Sequence, residues 1–201
     1  MTSTKVTNPL HIAVFASGNG TNAENIFRHF AEHPQITVSC LLCNKAGAGV
    51  LARADRHHIP SMVFDREAWR APSGIINYLQ TTQVDLIVLA GFLWLVPPAL
   101  LEAFPERVIN IHPALLPKYG GKGMYGMRVH EAVVAAQEHE TGITIHYVNE
   151  QYDEGAVIMQ QKVSLTPADS PELVAQKVHE LEYAFFPQVI EETVLRKGKI
   201  G

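Results

Sequence analysis

The sequence predicts an α/β fold with a mostly parallel sheet and helices on both of its faces, and three observations support this prediction. Near-continuous apolar runs alternate with segments of helical character through the first half of the chain. Glycine, proline or small polar residues separate most of these segments. From about Thr141 onward, two alternating runs instead predict an antiparallel strand pair. A chain of 201 residues with this pattern is expected to form a single domain.

Each element of the first half has its own signal, an apolar run for a strand and a capped or proline-initiated segment for a helix. The expected strands are Leu10–Ala16, Ile36–Cys43, Pro60–Asp65, Val84–Gly91 and Arg107–Ile111. The expected helices are about Thr21–His33, a helix that ends near His58, about Pro72–Thr82, and the short Pro97–Phe104.

The last third of the chain carries the antiparallel pair and a final helix. The two strands are expected within TGITIHYVNE and AVIMQQKVSL, joined by the turn QYDEG. Ser170 followed by Pro171 predicts the start of the last helix. Pro187 is expected to kink or interrupt that helix, because proline lacks the N–H that an interior position needs.

Composition indicates a globular protein that binds small molecules. The net charge of −4 gives no reason to expect nucleic acid or an anionic membrane as a partner. The longest apolar run, Leu86–Leu101, is too short for a membrane-spanning helix and is broken by two prolines. No targeting segment is recognised at the start, so a cytoplasmic location is expected. The oligomeric state stays open between monomer and homodimer.

The only two cysteines, Cys40 and Cys43, lie three positions apart within a predicted strand. Residues at that spacing point to opposite faces of a sheet, which opposes a redox or metal-binding pair. Buried core thiols are the prediction.

A glycine turn, SGNGTNAEN, follows the first strand and opens a helix, as in a Rossmann-like fold. Gly18, Gly20 and Ala23 fit a loose dinucleotide-binding pattern. The backbone N–H groups of such a turn can bind an anion at the helix N-terminus.

A dinucleotide would also need an acidic residue about twenty positions further on, where this chain has Asn44 and Lys45. A single phosphate therefore remains possible. The alternative is a plain turn between strand and helix, capped by Thr21 or Asn22.

The stretch NIHPALLPKYGG places Asn110 and His112 at the end of the fifth strand. Residues two apart share one side of a strand, so the two side chains should converge if the extended backbone continues through His112. Pro113 favours that backbone. The amide can donate to an oxyanion and the imidazole can exchange a proton, a pair suited to acyl transfer. The alternative is a loop-capping amide beside a partly buried histidine.

A catalytic histidine often has a carboxylate partner. Asp153, in the turn QYDEG, is the best-placed candidate, and the neighbouring Glu154 is its rival. No serine stands in a nucleophile-elbow context, and no HExxH pattern is present. Since His57 and His58 are adjacent, they do not chelate easily, and no metal is expected.

The loop YGGKGMYG, residues 119–126, has four glycines. It is either a segment that folds over a ligand or a flexible connector.

Taken together, SGNGTN, LAGF, NIHPALLPKY and TGITIHYVNEQYDEGAVI resemble the folate-dependent formyltransferases, from about His11 to Lys199. The resemblance implies formyl transfer from 10-formyltetrahydrofolate, as a co-substrate, to the amine of glycinamide ribonucleotide in purine synthesis. It also implies one domain, residues 1–201, with a phosphate-binding part at about 10–105 and a catalytic and folate-binding part at about 106–201.

The resemblance implies three groups of site residues. The catalytic group is Asn110, His112 and Asp153. The ribonucleotide-binding group is Gly20, Thr21, Asn22, Gly91, Pro113 and Glu182. The folate-binding group is Arg66, Leu93, Trp94, Leu95, Val96, Asn110, His146, Asn149, Glu150, Gln151, Tyr152 and Asp153.

Three features depart from the family pattern. Trp94 stands where many relatives are expected to carry a basic or another aliphatic-stemmed residue, Glu154 replaces a small residue, and the stretch GGKGMYGMRV is longer than usual. They are expected to affect substrate affinity more than the type of reaction.

Three rival functions fit the sequence less well. Methionyl-tRNA formyltransferase is disfavoured by the length and acidic charge of the chain. A non-catalytic nucleotide-binding module would use only the glycine turn, and a dinucleotide-dependent reductase is opposed by Asn44.

Overall fold

The fold is an open α/β sheet with helices on both faces, as predicted, in a computed structural model that describes residues 9–197. The strands are β1 (Leu10–Ala16), β2 (Ile36–Cys43), β3 (Ser61–Val63), β4 (Val84–Leu89), β5 (Val108–His112), β6 (Glu140–Tyr147) and β7 (Val157–Ser164). The helices are α1 (Thr21–Phe30), α2 (Gly49–Arg56), α3 (Arg66–Arg70), α4 (Ser73–Thr81), α5 (Pro98–Ala103), α6 (Met127–Ala135) and α7 (Pro171–Lys197). The ends of the predicted domain, 1–8 and 198–201, lie outside the described residues.

The sheet has the order β3-β2-β1-β4-β5-β6-β7. Neighbouring strands from β3 to β5 are parallel, whereas β6 is antiparallel to both β5 and β7. The chain order reverses between β1 and β4, and such a switch point opens a crevice at the carboxyl ends of the strands. The predicted antiparallel pair is confirmed.

Two apolar cores lie on the two faces of the sheet. One core packs α1, α2, α6 and α7 on the sheet, and the other packs α3, α4 and α5. Cys43 belongs to the first core and Cys40 to the second, so the prediction of buried thiols on opposite faces is confirmed. Burial raises the pKa of Cys40 to about 12, which keeps this thiol protonated.

Three helical assignments differ from the prediction. The helix α1 ends at Phe30 rather than His33. Pro34 disfavours helical backbone at His33, and the ring of His33 accepts the N–H of Ile36 at 3.0 Å as the chain turns into β2. The helices α3 and α6 were not predicted, because α3 has only five residues and α6 follows a glycine-rich loop.

The helix α7 continues through Pro187, so the predicted interruption is wrong. Proline leaves the carbonyl four residues earlier, that of Tyr183, without its usual N–H donor. The side chain of Asn25 in α1 donates to this carbonyl at 3.0 Å. A neighbouring helix therefore supplies the hydrogen bond that Pro187 removes. None of the helices in the described part of the chain is long and apolar enough to cross a membrane.

Candidate active site

A cavity of about 460 Å³ opens at the carboxyl ends of β4 and β5, beside the switch point of the sheet. Its walls come from the segment after β4, the end of β5, the loop before α6, the turn after β6, and α7. Among the predicted site residues, those on the wall are Asn22, Gly91, Leu93, Trp94, Leu95, Val96, Asn110, His112, Pro113, His146, Gln151, Tyr152, Asp153 and Glu182.

Asn110 and His112 both reach this cavity because β5 stays extended through His112. Asn110 pairs with His146 of β6, and His112 pairs with Thr144. His112 is only 3% exposed. The sequence analysis expected the two side chains to converge if the backbone stayed extended through His112, and it does.

The carboxylate of Asp153 lies beside the side chains of Asn110 and His112. Its Oδ2 lies 3.4 Å from His112 Nδ1 and accepts the N–H of Gly121 at 2.9 Å. Its Oδ1 accepts a long hydrogen bond of 3.5 Å from Asn110 Nδ2. The backbone of Asp153 is left-handed, with φ of 58°, a conformation that asparagine and aspartate tolerate better than most residues. The rival Glu154 is exposed and is not on the cavity wall.

The ring of His112 is oriented by a backbone carbonyl. The carbonyl of Tyr119 can only accept, so His112 Nε2 carries a proton and donates to it at 2.7 Å. Burial lowers the pKa of His112, and the charge of Asp153 and the bond to Tyr119 offset this only in part. The unliganded ring is therefore neutral at pH 7, with Nδ1 available to accept a proton.

Asp153 keeps its charge despite its burial. Burial alone would raise the pKa of this carboxyl, but His146, His112 and the N–H of Gly121 together lower it below the ordinary value. The negatively charged carboxylate of Asp153 thus lies beside Nδ1 of His112, the ring nitrogen that can take up a proton.

His146 orients the amide of Asn110. The carbonyl of Tyr147 accepts from His146 Nδ1 at 2.8 Å, so Nε2 of a neutral ring accepts from Asn110 Nδ2 at 3.2 Å, whereas a protonated Nε2 would donate to Asp153 Oδ1, 3.7 Å away. The amide nitrogen then faces the cavity rather than its oxygen. Its second N–H makes only the 3.5 Å contact with Asp153, and a ligand oxygen can take that N–H over.

The glycine turn contributes through Asn22, whose side chain crosses to α7. Gly20 is the N-cap of α1, with φ of 77°, and no side chain caps the helix, so the capping by Thr21 or Asn22 that the alternative assumed is absent. Asn22 Nδ2 donates instead to Glu182 at 2.9 Å. Its buried Oδ1 meets no donor among the described residues. An acceptor thus remains for a ligand N–H or O–H.

Glu182 is 5% exposed, and this burial raises its pKa to about 7. The hydrogen bond from Asn22 opposes the shift without cancelling it. At neutral pH the carboxyl is therefore divided between its two protonation states. A ligand that donates hydroxyl groups to it favours the charged form.

The segment after β4 forms an apolar wall around Trp94. Trp94 makes edge contacts with Phe64 and Phe92, and the guanidinium of Arg66 lies 4.7 Å from the centre of its ring. Arg66 itself is off the cavity wall, as are Gly20, Thr21, Asn149 and Glu150. Among the departures from the family pattern, Trp94 and the 121–126 loop therefore shape the cavity, whereas Glu154 does not.

Sequence reasoning missed several residues that line the cavity. His130 of α6 is 3% exposed, and burial lowers its pKa to about 4. His179 of α7 lies beside Glu182, with 3.9 Å between Nε2 and Oε2. Only a correct prediction of α6, and of the face that α7 presents, would have identified them.

Within residues 9–197, no group of three or more His, Cys, Asp and Glu side chains is arranged to hold a metal ion.

An amide, a neutral imidazole and a carboxylate that converge beside an apolar crevice define an enzyme of the acyl-transfer class. Residues 10–190 match the model of the formyl transferase family, and the chain belongs to this family. The resemblance noted in the sequence is confirmed.

Relatives of known name agree with this assignment. A phosphoribosylglycinamide formyltransferase of Haemophilus influenzae is 40% identical over 90% of this chain and 85% of its own length. A chloroplastic enzyme of that name from Arabidopsis thaliana is 38% identical over 89% of this chain, which spans only 63% of that relative. The crystal structure of glycinamide ribonucleotide transformylase 1 from Geobacillus kaustophilus superposes with a TM-score of 0.84, at 34% identity, over 93% of this chain and 100% of that one.

Proposed function

We propose that this formyl transferase moves the formyl group of 10-formyltetrahydrofolate to the amine of glycinamide ribonucleotide, in purine biosynthesis. The observation that carries the proposal is the convergence of Asn110, His112 and Asp153 on one cavity. The names of the relatives support the acceptor, and the family supports a formyl donor.

The ribonucleotide is proposed to lie between the glycine turn and α7. Backbone N–H groups at Gly20, Thr21 and Asn22 would bind its phosphate at the N-terminus of α1. Gly91 and Pro113 would contact the sugar and its substituent. Glu182 would accept from ribose hydroxyls, which its buried position and its partner Asn22 favour.

The folate is proposed to occupy the opposite end of the cavity. Residues 93–96 and the segment 149–153, through its wall residues 151–153, would contact the pterin, largely through backbone groups, with Leu93 and Trp94 supplying apolar surface. Arg66, ordered over the ring of Trp94, would reach the carboxylate tail. His146 would act through the amide of Asn110.

In the reaction, the substrate amine attacks the formyl carbon and the carbonyl electrons move to its oxygen. Asn110 Nδ2 donates to this oxyanion, releasing its long contact with Asp153. The neutral His112 takes the amine proton on Nδ1, and the resulting imidazolium is stabilised by Asp153. The same proton then passes to the folate nitrogen as the bond between that nitrogen and the formyl carbon breaks.

The proposal also includes a cytoplasmic location and small molecules as the binding partners. A cytoplasmic enzyme with small-molecule substrates fits the acidic net charge of −4, which does not favour nucleic acid. The division into a phosphate-binding part before about residue 106 and a catalytic part after it fits the sites of the glycine turn and of Asn110.

The test is a spectroscopic assay of formyl transfer from a 10-formyl folate, with glycinamide ribonucleotide and methionyl-tRNA offered separately as acceptors. The proposal predicts turnover with the ribonucleotide alone. Turnover only with the tRNA would leave the chemistry in place and overturn the acceptor. Ribonucleotide binding without any turnover would leave a nucleotide-binding module.

A further inference from the structure

The helix α2 packs against the glycine turn. Val50 donates its backbone N–H to the carbonyl of Gly18 at 3.1 Å. A Cβ atom added to Gly20 would lie 2.3 Å from Val50 Cγ2, and one added to Gly49 would lie 2.8 Å from Asn19 Oδ1. The start of α2 is therefore in contact with the whole turn, and only glycine permits this approach.

Arg53 of α2 makes the polar contacts across this junction. Its Nε donates to the carbonyl of Asn19 at 2.7 Å, and its Nη2 donates to Asn19 Oδ1 at 3.2 Å. Its Nη1 donates to the carboxylate of Glu24, in the first turn of α1. One planar guanidinium, 20% exposed, thus links α2 to both the glycine turn and α1.

The carboxylate of Glu24 is surrounded by positive groups. Arg56, Arg53 and Arg28 all contact it, and together they hold the pKa of this carboxyl below its ordinary value against the effect of burial, with the hydrogen bond from Arg56 the largest contribution. Arg56 is 58% exposed and, unlike Arg53, has no hydrogen bond to the turn. Arg53 and Arg56 are thus two of three arginines on one carboxylate, and of these two Arg53 also donates to the turn.

The contact with Asn19 has a geometric consequence. In a trans peptide the C=O and N–H bonds point in opposite directions, so a guanidinium that fixes the carbonyl of Asn19 also fixes the N–H of Gly20. That N–H points away from Arg53. The carbonyls of Gly18 and Gly20 on either side accept from the backbone N–H groups of Val50 and Glu24, whereas the carbonyl of Asn19 accepts from the side chain of Arg53.

We propose that Arg53 is a positioning residue for phosphate recognition, which orients the Asn19–Gly20 peptide so that the glycine turn can bind the phosphate of the ribonucleotide. The inference rests on the proposed function, since it takes the turn as the phosphate site. Arg53 itself does not touch the substrate. Its loss costs affinity for the phosphate-bearing substrate and leaves the chemistry at His112 unchanged.

The experiment compares Arg53→Met with Arg56→Met, which removes a guanidinium from the same carboxylate without touching the turn. For Arg53→Met we expect KM for glycinamide ribonucleotide to rise about tenfold, with kcat and KM for the folate donor within about twofold of wild type. Arg56→Met should match wild type in all three. Arg53→Lys should fall between them, because one ammonium cannot reach both Asn19 and Glu24.

Calorimetric titration with ribose 5-phosphate separates this proposal from the proposed function. We expect Arg53→Met to weaken this binding about tenfold, whether or not the wild type transfers a formyl group. Equal binding by Arg53→Met and wild type would overturn the positioning role, as would a loss of kcat at unchanged KM. If Arg53→Met does not fold, equal binding by Arg53→Lys and wild type decides against it.

Discussion

The charge of Asp153 acts on the reaction through His112. We predict that Asp153→Asn lowers kcat by about 10²-fold and leaves ribonucleotide binding largely intact, because the amide cannot stabilise the imidazolium. The negative charge of Asp153 also raises the pKa of His112. The acid limb of the kcat/KM profile should therefore move to lower pH in the variant.

The matched control is Glu154→Gln, a change to the exposed neighbouring carboxylate. It should behave as wild type in both measurements. Near-normal turnover in Asp153→Asn, or an equal loss in Glu154→Gln, would remove Asp153 from the mechanism.

The buried carboxyl of Glu182 predicts a pH-dependent stability. Its pKa is about 7 in the folded chain and 4.5 ordinarily, so the folded state retains a proton that the unfolded state releases. This stabilisation is present below pH 4.5 and is lost as the pH rises through 7. A pKa difference of about 2.5 corresponds to roughly 3 kcal/mol.

Glu182→Gln cannot ionise and should escape this loss. The melting temperature of Glu182→Gln minus that of wild type should be larger at pH 8 than at pH 4.5, by about 6 °C or more. Melting curves at both pH values check this, with Glu180→Gln as the exposed control on α7. Parallel pH dependences for Glu182→Gln and wild type would contradict the raised pKa.

Asn110 and His112 could be identified from the sequence because strand alternation places them on one side of β5. Asp153 could be identified because a catalytic histidine often has a carboxylate partner and the turn QYDEG supplies one. The carbonyl of Tyr119 that orients His112 could not, since every residue has a carbonyl. The bond between Asn22 and Glu182 joins residues 160 positions apart, and no local pattern carries that information.

At the scale of single elements, Asn25 of α1 bonds to the Tyr183 carbonyl of α7 because Pro187 has no N–H to occupy that carbonyl. Asn25→Ala removes the donor to the Tyr183 carbonyl and should cost about 0.5–1 kcal/mol in the free energy of unfolding. With Pro187→Ala, residue 187 regains an N–H that can bond to this carbonyl. The cost of Asn25→Ala should then fall by about half a kcal/mol, measured by urea unfolding as a double-mutant cycle. Strictly additive costs would show that Asn25 does not replace the missing bond.

The central strands β1, β2, β4 and β5 were predictable because they are largely buried and read as apolar runs, and β6 and β7 were predictable because their residues alternate. The helix α6 was not, since it begins after a glycine-rich loop and its apolar side is narrow, with only Val129, His130 and Val133 buried. Missing α6 also hid the part of the cavity wall that this helix supplies through Arg128 and His130.

At the scale of the whole molecule, the switch in strand order brings the segments that form the active site together. It opens the crevice between β1 and β4, and the glycine turn, the segment after β4 and the end of β5 all emerge at that edge. The antiparallel β6 runs back along β5, and the turn that follows it brings Asp153 into contact with the side chains of His112 and Asn110. The helix α7 adds Glu182 from one face.

The measurement that tests this account most directly is the rate of formyl transfer by His112→Ala at saturating substrates, with ribonucleotide affinity measured by calorimetry. The account predicts a loss of about 10²- to 10⁴-fold in kcat at nearly unchanged affinity, because the proton acceptor is removed and the phosphate site is not. The exposed His139→Ala is the control and should match wild type. A His112→Ala enzyme that kept its turnover within about tenfold of wild type would place the chemistry elsewhere.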